Sequence, residues 1–146
     1  MASKSQLETL IELATTASDE AAKRLGVALR MVQENDEKLN MLTGYRTDYA
    51  KRFETALGVG MTPMAYRNFQ AFLDKLDSAI NGQQQVLGQA RQRSEHERSS
   101  WIASERKRMS YTTLCNRAAE QAQRVEAKRD QKLMDEHAAR QSYYKR

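Results

Sequence analysis

Ala56-Leu57-Gly58-Val59-Gly60-Met61-Thr62-Pro63 holds two of the chain's six glycines and its only proline. Glycine and proline are the strongest local breakers of regular structure, and elsewhere they are too sparse to interrupt a helix for long. Gly58 suits a left-handed cap at the end of one helix. Thr62, followed by Pro63 at the first helical position, is a start signal for another. So short a connection makes antiparallel neighbours of the two helices. The reading is helix 1 over about 4–57, a loop at 58–62 and helix 2 over about 63–141.

Apolar spacing on either side supports that reading. Alternate steps of four and three from Leu7 give Leu7, Ile11, Ala14, Ser18, Ala21, Leu25, Ala28, Val32, Asn35, Leu39, Leu42, Arg46, Tyr49, Phe53 and Ala56. Only Ser18, Asn35 and Arg46 break the apolar character of this heptad seam. Alanine at several seam sites implies close approach of a partner helix, and Asn35 resembles the single polar seam residue that fixes register. Helix 2 continues the spacing with Tyr66, Phe69, Leu73, Leu76, Ile80, Gln83, Leu87 and Ala90. Its seam thins from Ser94 to Arg108, where Glu97, Ser104 and Arg108 occupy positions expected to be apolar and Trp101 is the one large anchor. It recovers at Tyr111, Cys115, Ala118, Ala122 and Val125. Gly82 and Gly88 lie inside helix 2, each a local weakness of about 1 kcal/mol relative to alanine. The fold class is therefore all-α, a long antiparallel two-stranded coiled-coil hairpin.

The second helix is longer than the first. At 1.5 Å per residue, helix 1 spans about 75 Å and helix 2 about 120 Å. Folding about residue 60 sets Leu7 opposite Thr113 and Leu114, so residues 115–146 project beyond helix 1. Helical stability comes mainly from packing an apolar face, which leaves this arm marginal until it meets another surface.

Composition fits a seam better than a globular core. Charged residues make up 29% of the chain, and the mean hydropathy is −0.82. Such polarity also suits disorder, but disorder would not keep a heptad spacing. The net charge of +5 is concentrated distally: residues 91–146 carry 14 basic and 8 acidic side chains, against 8 basic and 9 acidic in residues 1–60. A positive arm suits nucleic acid, anionic lipid or an acidic protein surface. The interleaved acids argue against nucleic acid, whose phosphates call for denser cationic clusters. No apolar run reaches 18 residues and no secretory leader is evident, so direct lipid insertion is not expected and a cytoplasmic setting is.

No enzyme constellation appears. His96 and His137 are far apart on the helix and have no metal-ligand spacing around them. Cys115 is alone, which excludes an internal disulfide, and it falls on the seam as a small hydrophobe. The nucleotide loop GxxxxGK[ST] is missing. No catalytic residue, metal or cofactor is expected.

Two surfaces stand out as binding candidates. Tyr45, Tyr49 and Phe53 face the stretch carrying Tyr66, Phe69 and Phe72 near the loop. Phe72 lies beside the seam and Leu76, one turn later, at its edge. This i,i+4 pair reads either as an exposed apolar ridge or as part of a wide local core. The second candidate is the mixed-charge stretch 128–140 on the projecting arm, where Asp135 and Glu136 with Gln131, Lys132 and Arg140 give a polar surface flanked by Leu133 and Met134; it reads as a solvated face or a docking surface.

These residues also resemble a family, the flagellar FliJ proteins. The resemblance rests on LETLIELA at 7–14, Met41-Leu42 followed by Tyr45 and Tyr49, and the glycine-containing loop. It extends through Tyr66-Arg67-Asn68-Phe69-Gln70-Ala71-Phe72 to Ala79-Ile80, agrees at Trp101, and ends on the segment 130–136. It implies a non-enzymatic, cofactor-free component of the flagellar type III export apparatus, similar to the central stalk of rotary ATPases. The implied partners are the hexameric export ATPase, a membrane export-gate protein and export chaperones, at the cytoplasmic face of the inner membrane. By the same resemblance Phe72 and Leu76 look like gate-binding positions, and Gln131, Lys132, Leu133, Met134, Asp135 and Glu136 look like the ATPase-ring side. The competing expectations are a stalk protein of a virulence type III system and a nucleic-acid-binding or purely structural coiled coil.

Overall fold

A computed structural model of the protein describes residues 4–145. Among them are two helices and no strand: α1, Lys4–Val59, and α2, Pro63–Tyr144. They pack against each other as a helical hairpin. α1 runs two residues past the expected 57, and α2 three past the expected 141.

The cap is not where the sequence put it. Gly58 remains helical, and the residue with positive φ is Gly60, at 108°. The Gly60 amide donates to the Ala56 carbonyl at 3.1 Å, closing the last turn of α1. Either glycine tolerates the reversal, and the chain uses the later one because the helical ladder continues through Val59. Thr62 caps α2 as expected: its Oγ1 accepts from the Ala65 amide at 3.2 Å, and its carbonyl accepts from the Tyr66 amide at 3.0 Å. Pro63 then occupies the first helical position, where its missing N–H has no intrahelical role.

The chain divides into two compact units, residues 20–101 and residues 1–19 with 102–146. In the first, the seam is built from Ala21 and Ala28 on α1 with Leu73 and Leu87 on α2, all buried. Towards the loop, the rings of Phe53 and Tyr66 lie 5.5 Å apart, those of Phe53 and Phe69 5.5 Å, and those of Tyr49 and Phe69 5.1 Å. Tilted pairs at these distances add roughly 0.5–1.5 kcal/mol each beyond the area they bury.

Polar residues interrupt the seam of this unit at intervals: Ser94 Oγ donates to the Arg91 carbonyl of its own helix at 2.8 Å, and Asn35, Arg46, Gln83 and Glu97 each meet a partner on the opposite helix. The Gln83 amide nitrogen donates to both the Asn35 carbonyl, at 2.9 Å, and the Asn35 Oδ1, at 3.0 Å. Asn35 in turn donates from Nδ2 to the Met31 carbonyl at 2.7 Å. Arg46 Nε donates to Asp77 at 2.6 Å, and Arg24 Nε approaches the buried Glu97 carboxylate at 3.4 Å. A buried polar group costs stability only when its hydrogen bonds are unmade. Among the described residues no buried side-chain nitrogen or oxygen lacks a partner.

In the other unit Leu7, Ala14 and Ser18 are buried on α1. Glu105 accepts from the Ser18 hydroxyl and from Arg108, whose Nη2 donates at 2.8 Å. Tyr111, Thr112 and Cys115 are half-buried, and every described residue from 116 onward is exposed.

Candidate partner-binding surfaces

Phe72 and Leu76 sit one turn apart on α2, on the flank of the aromatic cluster. The Phe72 ring lies 4.4 Å from that of Tyr49, yet 44% of the residue remains exposed. Leu76 is half-buried. The two readings of this pair therefore merge: one side of Phe72 completes the cluster and the other is presented outward. Tyr45, one turn before Tyr49 on α1, is 57% exposed and widens the apolar flank. An aromatic held by a neighbouring ring loses little conformational freedom on binding, which suits it to anchor a partner.

Ion pairs fix the charged residues nearby. The Arg46 guanidinium, hydrogen-bonded to Asp77, holds that carboxyl below its ordinary range and is itself raised above its own ordinary value. Both side chains are about half exposed, so solvent screens much of this attraction. In the other unit Glu105 is held low, chiefly by the hydrogen bond from Arg108 and then by the one from Ser18.

The segment 130–136 lies entirely in the exposed part of α2. Gln131 donates from Nε2 to Asp135 Oδ1 at 3.0 Å, one helical turn away, which orders its polar face. Leu133 and Met134 are 62% and 68% exposed and border a shallow depression with His137, Ala138 and Gln141. Two exposed aliphatic side chains thus stand beside an ordered polar face. His137 and His96 are both exposed, and among the described residues no three His, Cys, Asp or Glu side chains converge as a metal site. No helix among the described residues is long and apolar enough to cross a membrane.

One surface escaped the sequence reading. Where Ala28 and Ala90 occupy the seam, a groove of about 720 Å³ opens between α1 and α2 within residues 20–101. Val27, Met31 and Val86 line it and are each roughly half exposed. The available signal was alanine at facing seam positions with aliphatic residues on the flanks. Recognising it requires knowing which seam positions face one another.

Comparison with known proteins is informative over nearly the full chain. The family model for "Flagellar FliJ protein" matches residues 3–146. The chain is 34% identical over 140 residues to the flagellar FliJ protein of Salmonella typhi, covering 96% of this chain and 95% of that protein. It is 33% identical over 140 residues to that of Escherichia coli (strain K12), with the same coverage of both chains.

Proposed function

The chain belongs to the flagellar FliJ family and is thereby a component of the flagellar export apparatus; from that premise we propose that it works without catalysis, as a stalk-like link between the export ATPase ring and the membrane export gate. The observation that carries this reading is the contrast within α2. Up to Cys115 its seam side is covered, whereas from residue 116 onward the helix offers Leu133 and Met134 with nothing packed over them. A helix of that length with no apolar cover is poorly stabilised alone and gains most by docking. A ring with a central opening is a suitable receptor for one helix. Gln131, Lys132, Leu133, Met134, Asp135 and Glu136 are assigned to that contact, which would promote ring assembly and turnover. The half-exposed Phe72, backed by Tyr49, and Leu76 are assigned to the gate. Export chaperones complete the set of partners, and the protein stays at the cytoplasmic face of the inner membrane through these contacts.

The experiment adds the purified chain to the export ATPase and follows turnover and hexamer formation. Both rise on this reading, and no change in either at saturating chain refutes the ATPase link. For the gate, Phe72→Ala with Leu76→Ala is expected to preserve helicity by circular dichroism while weakening binding. Loss of helicity would instead make the pair part of the structural core.

A further inference from the structure

The groove between α1 and α2 exists because the seam side chains there are short. Ala28 is buried and Ala90 half-buried, and neither fills the width that a leucine would occupy. The aliphatic residues that remain, Val27 and Met31 on α1 and Val86 on α2, stand on the walls with 52%, 48% and 44% of their surface exposed. An apolar trough of this kind between two helices is the receptor geometry for a third, whose leucines enter it as knobs.

The rim specifies the charge of the occupant. Lys23, Arg24 and Arg93 border the groove and are exposed. Glu97 is the only carboxylate among the lining residues; it is 7% exposed and faces Arg24. A neutral apolar trough bordered by cations favours carboxylates on both sides of an aliphatic stripe. The same rim opposes a second copy seated groove to groove, because a two-fold contact would set Lys23, Arg24 and Arg93 against themselves. The apolar floor offers nothing to a phosphate backbone.

We propose that this groove is a docking site for an acidic amphipathic helix of a partner protein, converting residues 20–101 locally from two strands to three. The lined stretch runs from Lys23 to Asn35 on α1 and from Val86 to Glu97 on α2. That corresponds to an occupant of about 18 Å, or three to four helical turns. The site shares no residue with Phe72 and Leu76 or with the segment 130–136, so its occupancy is separable from the gate and ATPase contacts proposed above.

The test uses the full chain and two fluorescein-labelled, lactam-bridged helical peptides of about 15 residues. Both carry leucine at i, i+3, i+4 and i+7; one has glutamate on both flanks of that stripe and the other lysine. Fluorescence anisotropy is expected to show saturable binding of the acidic peptide, with the basic one at least about tenfold weaker. Binding should weaken as salt is raised, since the rim cations are exposed. The triple variant Val27→Gln, Met31→Gln, Val86→Gln changes only half-exposed side chains and should lower affinity about tenfold or more with unchanged helicity. Lys23→Glu with Arg93→Glu should invert the preference between the peptides. Absence of saturable binding below about 1 mM, equal binding of both peptides, or indifference to the triple variant overturns the proposal. A dimer of the free chain that dissociates in the triple variant also overturns it and gives the groove to a second copy. None of these outcomes alters ATPase turnover or gate binding, so failure here is distinct from failure of the functional reading.

Discussion

Replacing Gln83 by leucine strips the Asn35 side-chain oxygen of its cross-helix donor while leaving Asn35 only 6% exposed. A buried acceptor without a partner costs about 1–3 kcal/mol. The new leucine occupies a half-buried site and recovers about 1 kcal/mol, half the value of full burial. Gln83→Leu alone should therefore destabilise the hairpin by about 1 kcal/mol. Adding Asn35→Leu removes the orphaned group and buries a second aliphatic side chain for about 2 kcal/mol. Against this stands the loss of the cross-helix hydrogen bonds, about 1 kcal/mol each. The double variant should end about 1 kcal/mol more stable than the parent, and the pair should couple by more than 1 kcal/mol in a double-mutant cycle. Urea denaturation followed at 222 nm measures all four proteins, with the midpoint shift read at constant slope. If Gln83→Leu alone proves as stable as the double variant, the Asn35 oxygen was never dependent on Gln83 and the reasoning fails.

Three further outcomes are read from the stability of single variants. The depressed carboxyls Asp77 and Glu105 contribute stability that is present above the ordinary carboxylate range and lost as pH falls through their lowered values. Asp77→Asn should therefore flatten the acid limb of a stability-versus-pH curve, and an unchanged limb would exclude Asp77 from it. Gly82→Ala and Gly88→Ala place a methyl group in open space on a helix surface and should each stabilise by about 1 kcal/mol, seen as a raised thermal midpoint. Gly60→Ala meets no atom either, but its φ of 108° is unfavourable for any other residue. It should cost about 1–3 kcal/mol, and a neutral result would show that the turn relaxes without strain.

The seam was legible because a heptad spacing is a property of one helix at a time. All fifteen positions stepped off from Leu7 are buried or half-buried, the polar Ser18, Asn35 and Arg46 included. On α2 the same holds from Phe69 to Cys115, while Tyr66 is 46% exposed at the open end of the aromatic cluster. What resisted reading was pairing across the helices. Glu97 at an apolar position reads as a thinning of the seam, but Arg24 stands opposite it, and Glu105 draws Ser18 and Arg108 together in the same way. Side-chain pairing depends on offsets finer than any fold-back about residue 60 can supply. Gly58 and Gly60 posed the same difficulty on a smaller scale: both permit the turn, and only the point where helical bonding stops distinguishes them. The surfaces at Phe72 and at 130–136 were singled out by residue type and by resemblance. The groove required knowledge of which alanines face.

α2 is a single unbroken ladder of backbone hydrogen bonds from Pro63 to Tyr144, yet only the part up to Cys115 has covered side chains. Amide exchange reads the free energy of local opening, which follows packing and not the regularity of the ladder. Neighbouring stretches of the same helix should therefore exchange at rates differing by orders of magnitude: slowly around Leu73 and Leu87, quickly from 116 onward. Binding at the exposed end would first have to suppress that opening, so part of every contact made there is spent on ordering. A receptor for the arm should consequently leave a protection footprint much longer than the surface it touches.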